Sequence, residues 1–176
     1  NLAGEDWFRD PALTRVLALL NSDGAVGRVV GGAVRNSLLG IPVSDIDIAT
    51  TLRPEAVMER AAAAGIKAVP TGLAHGTVTL VVDGTPFEVT TLRRDVETDG
   101  RHAQVAFSTD WQADAERRDL TMNALYVDAN GDVVDLVGGL ADIDSRTVRF
   151  IGDASMRIAE DYLRILRYFR FLAWYG

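Results

Sequence analysis

The sequence predicts an α/β (α+β) fold in which a mixed β-sheet is flanked by helices. Three observations carry that class. Short runs rich in β-branched and aromatic residues, such as 26–30 and 85–92, read as buried or half-buried strands. Between them lie segments with helix-starting punctuation, among them Asp10-Pro11 and the alanine-rich stretch opened by Pro54-Glu55. The two kinds of segment interleave irregularly, which argues for a mixed sheet over a regular βαβ repeat.

In chain order, a helix is expected from Asp10-Pro11 through about Leu20, then a strand over 26–30 that breaks at Gly31-Gly32 into a helix over 33–39. Residues 45–50 read as a second strand, and the helix begun at Pro54 stops at Gly65. Runs 75–82 and 85–92 form a hairpin about Asp83-Gly84, a turn pair suited to positive φ at both positions. Residues 93–104 are polar, charged and contain Gly100, and read as a mobile loop. Short strands follow near 105–107, 120–127, 133–136 and 147–150, and a last helix runs over about 154–173. In that helix Ile158, Tyr162, Ile165, Leu166 and Phe169 fall on one apolar stripe expected to face the core.

The 176 residues suit one domain, or one and the start of another. We expect residues 1–150 to be one domain and 151–176 to begin a second, helical one, the chain being part of a longer protein. No cysteine is present, which excludes disulfides and thiolate metal sites. No apolar run approaches a membrane span, no membrane partner is expected, and no export signal is evident, so the cytoplasm is the expected compartment. The net charge of −7 is unlike the basic face of most nucleic-acid binders, so any grip on RNA must be local or lie elsewhere. The sequence carries no signal of oligomeric state.

Asp45-Ile46-Asp47-Ile48 is the sharpest local feature. On a strand its two acids share one face while the isoleucines point to the core. Glu88, between Phe87 and Val89, is a third acid in an apolar strand. If the strands are neighbours, three carboxylates converge, and such a set suits a hard divalent cation. Taken alone, a bare Asp-x-Asp is common and reads first as two solvated aspartates on an edge strand.

Upstream, Val30-Gly31-Gly32-Ala33-Val34-Arg35 turns a strand into a helix. Such a turn presents backbone N–H groups to phosphate, with Arg35 one turn in, although a tight connection alone has the same form. It is neither a dinucleotide fingerprint nor a Walker loop. Further on, Arg117-Arg118-Asp119 offers two guanidiniums for a polyphosphate and an acceptor for ribose hydroxyls; a charged helix end reads the same way. In the last helix Asp161 and Arg164 are neighbours at i, i+3, either a surface ion pair or a donor and acceptor for a base edge.

Taken together, Gly31-Gly32-Ala33-Val34-Arg35, Asp45-Ile46-Asp47-Ile48-Ala49-Thr50, Arg117 to Ala124, Asp135-Leu136-Val137-Gly138-Gly139 and Glu160 to Arg167 stand in an order that resembles the class II tRNA nucleotidyltransferase (CCA-adding enzyme) and bacterial poly(A) polymerase family. The resemblance spans about Gly31 to Phe171. It implies a nucleotidyltransferase head of the polymerase-beta-like kind, followed by the start of a helical neck. It also implies a magnesium-dependent enzyme, with two Mg²⁺ ions, that adds C or A from CTP and ATP to the 3′ end of tRNA.

By the same resemblance Asp45 and Asp47 bind the metals, with Glu88 as the supporting catalytic carboxylate. Gly31, Gly32, Arg35, Arg117, Arg118 and Asp119 hold the nucleotide. Asp161 and Arg164 read its base, and Arg167 and Arg170 complete the site. The segment 93–104 matches a flexible region that assists rearrangement between nucleotides. The first motif usually ends in Asp, and Asn36 stands there instead. Thr71 to Val78 looks like the tRNA-specific branch. The rival readings are a poly(A) polymerase, an enzyme adding only CC or only A, a small-molecule nucleotidyltransferase, and a catalytically silent nucleotide- or RNA-binding module.

Overall fold

The structure, a computed structural model, describes residues 1–98, 102–152 and 163–176. Asp10 caps α1 (Pro11–Leu20), its side chain accepting from the Ala12 amide. Strand β1 (Gly27–Val30) runs into α2 (Gly32–Leu38), and β2 (Asp47–Thr50) precedes α3 (Pro54–Ala63). Strands β3 (Lys67–Gly72), β4 (Thr77–Val82) and β5 (Thr85–Thr91) follow, then a separate hairpin of β6 (Arg93–Thr98) and β7 (His102–Phe107). Helix α4 (Trp111–Glu116), a 3-10 turn (Thr121–Asn123), β8 (Leu125–Val127), β9 (Val133–Asp135), α5 (Gly139–Asp144) and α6 (Leu163–Tyr175) complete the described elements.

Seven strands form one sheet in the order β3-β4-β5-β2-β1-β8-β9. Among the described strands only β2 and β5 pair in parallel, because α3, β3 and β4 carry the chain across between them; the other described pairs are antiparallel. The sheet is therefore mixed, as expected. Asp83 and Gly84 both adopt positive φ, as the β4–β5 turn requires.

The larger core lies on one sheet face, where Ile48, Val78, Leu80, Phe87 and Val89 meet α1 and α3 through Leu13, Val16, Val57 and Ala61. The other face holds a smaller cluster of Val30, Ala49, Ala124 and Tyr126, closed by Ala115 of α4, Leu92 and Ile151. Because side chains alternate along a strand, Asp47 shares this second face with Ala49, and Glu88 faces away from Phe87 and Val89. The second face is only partly covered, and that leaves room for a site. Among the described residues no helix is long and apolar enough to cross a membrane.

Several expectations need correction. Within the expected loop 93–104, residues 99–101 lie outside the described residues, while 93–98 and 102–104 are strand, β6 and β7 pairing over six positions from Arg93 opposite Phe107 to Thr98 opposite His102. Cross-strand pairing outweighs the low strand propensity of their charged residues. Residues 147–150 form no strand beyond a single bridge between Phe150 and Leu120, and the strand expected over 120–127 is interrupted by the 3-10 turn. His75 lies in a second 3-10 turn (Leu73–His75), so β4 starts at Thr77.

Candidate active site

Strand β2 opens at Asp47, where Val30 of β1 lies opposite and Glu88 of β5 lies beside it in parallel register. Asp45 therefore sits before the strand and not on it, a correction with a plain cause. Beyond Val30 the chain turns into Gly31, so residues before Asp47 have no antiparallel partner. Asp45 nevertheless lines the same cavity of about 330 Å³ as Asp47 and Glu88, with Ile46, Thr79 and Pro86. The three acids are brought together.

Burial, then the like charges of Glu88 and Asp45, push the Asp47 carboxyl up to about 6, against an opposing pull from Arg118. Asp47 still meets solvent at the cavity mouth, so crowding by protein atoms and not full enclosure raises it. Among the described residues no three carboxylates or imidazoles close into a metal cage. An open set of acceptor-only oxygens still fits Mg²⁺, which keeps positions for water and phosphate oxygens.

The glycine turn stands at the same end of the sheet, since Gly31 follows the residue opposite Asp47. Gly31 has φ 79° and ψ −128°, a backbone that other residues avoid, and its amide donates to the Leu125 carbonyl. A Cβ on Gly32 would press on the Arg35 guanidinium, 3.3 Å away. Arg35 donates to Asn123 Oδ1 at 2.6 Å and to Asn36 Oδ1 at 3.1 Å. Its guanidinium also lies over the rings of Phe171 and Tyr175 of α6, at 5.1 and 4.5 Å. Burial lowers the Arg35 pKa from its ordinary value. Asn36 supplies a neutral acceptor to Arg35 and the Tyr175 hydroxyl, and its amide donates to the Pro42 carbonyl.

Arg118 and Arg117 do not stand free. Arg118 pairs with buried Asp114 at 3.1 Å, and Arg117 with Asp95 of β6 at 3.3 Å. Asp114 also accepts the Tyr126 hydroxyl at 2.7 Å and the Arg93 amide at 3.0 Å. Burial opposes the Arg118 charge, yet Asp114 and Tyr126 hold its pKa above the ordinary value. Burial pushes the Tyr126 hydroxyl up. Asp119 is buried, accepts the Leu120 amide, and forms an ion pair with Arg167 that leaves Oδ2 without an aligned hydrogen bond.

Helix α6 faces the head with Tyr168, Phe171 and Tyr175, while Leu166 and Phe169 are exposed. The expected stripe is thus rotated, because Phe150 stacks on Tyr168 at 5.3 Å and Arg35 engages Phe171 and Tyr175. Arg170 lies over Trp174. Asp161 lies outside the described residues, as do Ile158, Tyr162 and the side chains of Arg164 and Ile165.

Sequence reasoning missed Asp114, which holds Arg118, the Tyr126 hydroxyl and Arg93 amide that hold Asp114 in turn, and Asn123, which links Arg35 to Asp119. For Asn123 a signal existed, since it falls inside the arginine motif. Asp114 and Tyr126 show no pattern in sequence. Asp135 proves structural: its carboxylate caps α5 by accepting the Gly138, Gly139 and Leu140 amides. Gly139 then packs so closely on the Thr121 carbonyl that no Cβ could fit.

Residues 27–149 match the family described as "Poly A polymerase head domain". The chain is 48% identical over 171 residues to the CCA tRNA nucleotidyltransferase 1, mitochondrial, of Danio rerio, covering 90% of this chain and 40% of that protein. It is similar in structure to the Bacillus stearothermophilus CCA-adding enzyme in complex with CTP, at a TM-score of 0.81 and 39% identity, over 92% of this chain and 38% of that one. A tRNA nucleotidyltransferase complexed with a primer tRNA and an incoming ATP analog matches at a TM-score of 0.70 and 30% identity, over 89% of this chain and 44% of that one. The chain thus spans well under half the length of these proteins.

Proposed function

The chain belongs to the poly A polymerase head domain family, and from that premise we propose that it is the catalytic head of a template-independent enzyme adding C and A to the 3′ end of tRNA. CTP and ATP are the donors and pyrophosphate is released. The observation that carries this reading is the Asp47–Glu88 register pair, with Asp45 in the same cavity and the glycine turn beside it. The names of the Danio rerio and Bacillus stearothermophilus relatives favour CCA addition over poly(A) synthesis.

In this reading the RNA 3′-hydroxyl attacks the α-phosphorus in line. A new P–O bond forms, the bond to pyrophosphate breaks, and the hydroxyl proton is lost to the carboxylates or solvent. Asp45 and Asp47, supported by Glu88, would hold two Mg²⁺ ions, which supply charge neutralisation at the attacking and leaving oxygens. Gly31, Gly32 and Arg35 hold the triphosphate, and Arg117 and Arg118 flank it, Arg118 kept in place by Asp114. Asp119 meets the ribose, with Arg167 and Arg170 closing the site from α6. Asp161 and Arg164 read the base. The protein's part is to position charge, so no covalent intermediate is needed.

We take residues 1–150 as the head and 151–176 as the start of a helical neck. The family match ends at residue 149, and the described residues beyond 162 are the helix α6 (Leu163–Tyr175), which supports that division.

The test supplies the full-length protein with Mg²⁺, labelled CTP or ATP, and tRNAs ending before C, after CC and after CCA. Addition of two C and one A followed by arrest is expected. Long adenosine tails would replace this reading with a poly(A) polymerase, and use of one nucleotide alone with a partial enzyme.

A further inference from the structure

Beyond the C-terminal ends of β2 and β5 the surface opens into a second cavity, of about 310 Å³. Two guanidiniums line it, Arg53 and Arg94, together with Phe107 and hydroxyls that include Thr51, Thr91 and Ser108. No carboxylate does. Arg117, Arg118, Arg149 and Arg167 each pair with an aspartate. Among the described residues neither Arg53 nor Arg94 has such a partner.

The walls are fixed. The Thr91 hydroxyl donates to the Leu52 carbonyl at 2.6 Å, and the Ser108 amide to the Leu92 carbonyl at 2.8 Å. Gly76 packs on Phe107 so tightly that a Cβ would lie 2.7 Å from its ring. Arg53 lies over that same ring at 5.6 Å, and Arg94 is set by its pairing opposite Ala106 in the hairpin. Two charges from different elements thus converge on one opening in a chain whose net charge is −7. Two guanidinium forks, with the Ser108 hydroxyl whose oxygen accepts the Asp110 amide and leaves its proton to donate, match the oxygens of a phosphate.

Thr51 lies four residues along the chain from Asp47, a separation of about 13 Å if extended. An anion held here cannot touch the catalytic carboxylates, so it is not the reacting phosphate. We propose that this cavity is a second phosphate site that holds a backbone phosphate of the RNA substrate, upstream of its 3′ end. The proposal rests on the activity proposed above. It gives an acidic chain a local point of attachment for a polyanion.

The experiment uses the full-length protein and a tRNA lacking CCA, bound without nucleotide over a series of KCl concentrations. Arg53→Gln combined with Arg94→Gln should weaken tRNA binding about tenfold and flatten the log K against log salt slope by about 2. Affinity for CTP should not change, and the paired lysine substitutions should restore part of the tRNA affinity. Unchanged tRNA binding and salt slope in the glutamine variant would overturn the proposal. So would a matching loss of CTP affinity, since a separate site leaves the nucleotide alone. Inorganic phosphate and pyrophosphate are titrated in parallel against the arginine side-chain NMR signals. If they bind through Arg53 and Arg94 while tRNA affinity stays the same in the variant, the site serves a free anion and the RNA assignment falls. Failure of the wild-type protein to incorporate CTP would instead strike the proposed activity, which the binding assay does not read.

Discussion

Asp47 and Glu88 stand side by side on two parallel strands, β2 and β5, the one parallel pair among the described strands of a sheet otherwise antiparallel. The crossover through α3, β3 and β4 is therefore what builds the acidic cavity. Crowding is the cost, and the raised Asp47 carboxyl records it.

That crowding predicts an activity–stability opposition. The folded-state pKa of Asp47 is raised, so its contribution is favourable below the unfolded value and is lost as pH rises through about 6. At pH 7.5 in metal-free buffer the ionised side chain is a burden. Asp47→Asn should raise Tm at pH 7.5 and leave it unchanged near pH 3.5, while cutting CTP incorporation by about a thousandfold. Thermal melts at the two pH values check the sign.

Cation binding should follow the same titration in the opposite sense. A divalent ion binds the ionised carboxylate and must displace the proton held near pH 6. Mn²⁺ affinity, measured by calorimetry, should be about tenfold weaker at pH 5 than at pH 7.5. A flat profile would show that Asp47 is not a ligand.

Asp114 should behave as a positioning residue for Arg118. It is buried and holds the guanidinium, the Tyr126 hydroxyl and the Arg93 amide. Asp114→Ala strands a largely buried positive charge and should cost about 3–5 kcal/mol in urea denaturation. Tyr126→Phe removes one hydrogen bond and should cost only about 1 kcal/mol. If both cost the same, the Arg118 pairing is not the main term.

Arg35 should not tolerate lysine. A lysine keeps the charge but cannot fork between Asn36 and Asn123 while lying over two aromatic rings. Arg35→Lys should lower stability by about 1–2 kcal/mol and raise KM for CTP. Phe171→Leu, which removes one ring, should lower stability by a similar amount with a smaller effect on KM.

Local chemistry was readable in the sequence. Asp10-Pro11 and Asp83-Gly84 begin and turn their elements where expected, and the acids of β2 and β5 fall on the face that alternation assigns. Elements that owe their form to distant partners were not readable. Strand β6 is written in arginines and acids and only the 105–107 end of β7 reads as strand, and α4 and α5, at six residues each, are too short to show a helical period. Edge strand β3 buries neither face and contains Pro70, so no alternation marks it. Within the site, the aspartates and Arg35 announced themselves through motifs. Asp114 and Tyr126 act only through what folding brings beside them.

The grip of α6 on the head uses Asp119 and Arg35, two groups also assigned to the incoming nucleotide. A ligand that draws either of them away must loosen the helix by the same free energy that the helix withholds from the ligand. Substrate entry and helix posture are thus two readings of one balance, and any substitution that frees α6 will also alter how tightly the head holds its substrate.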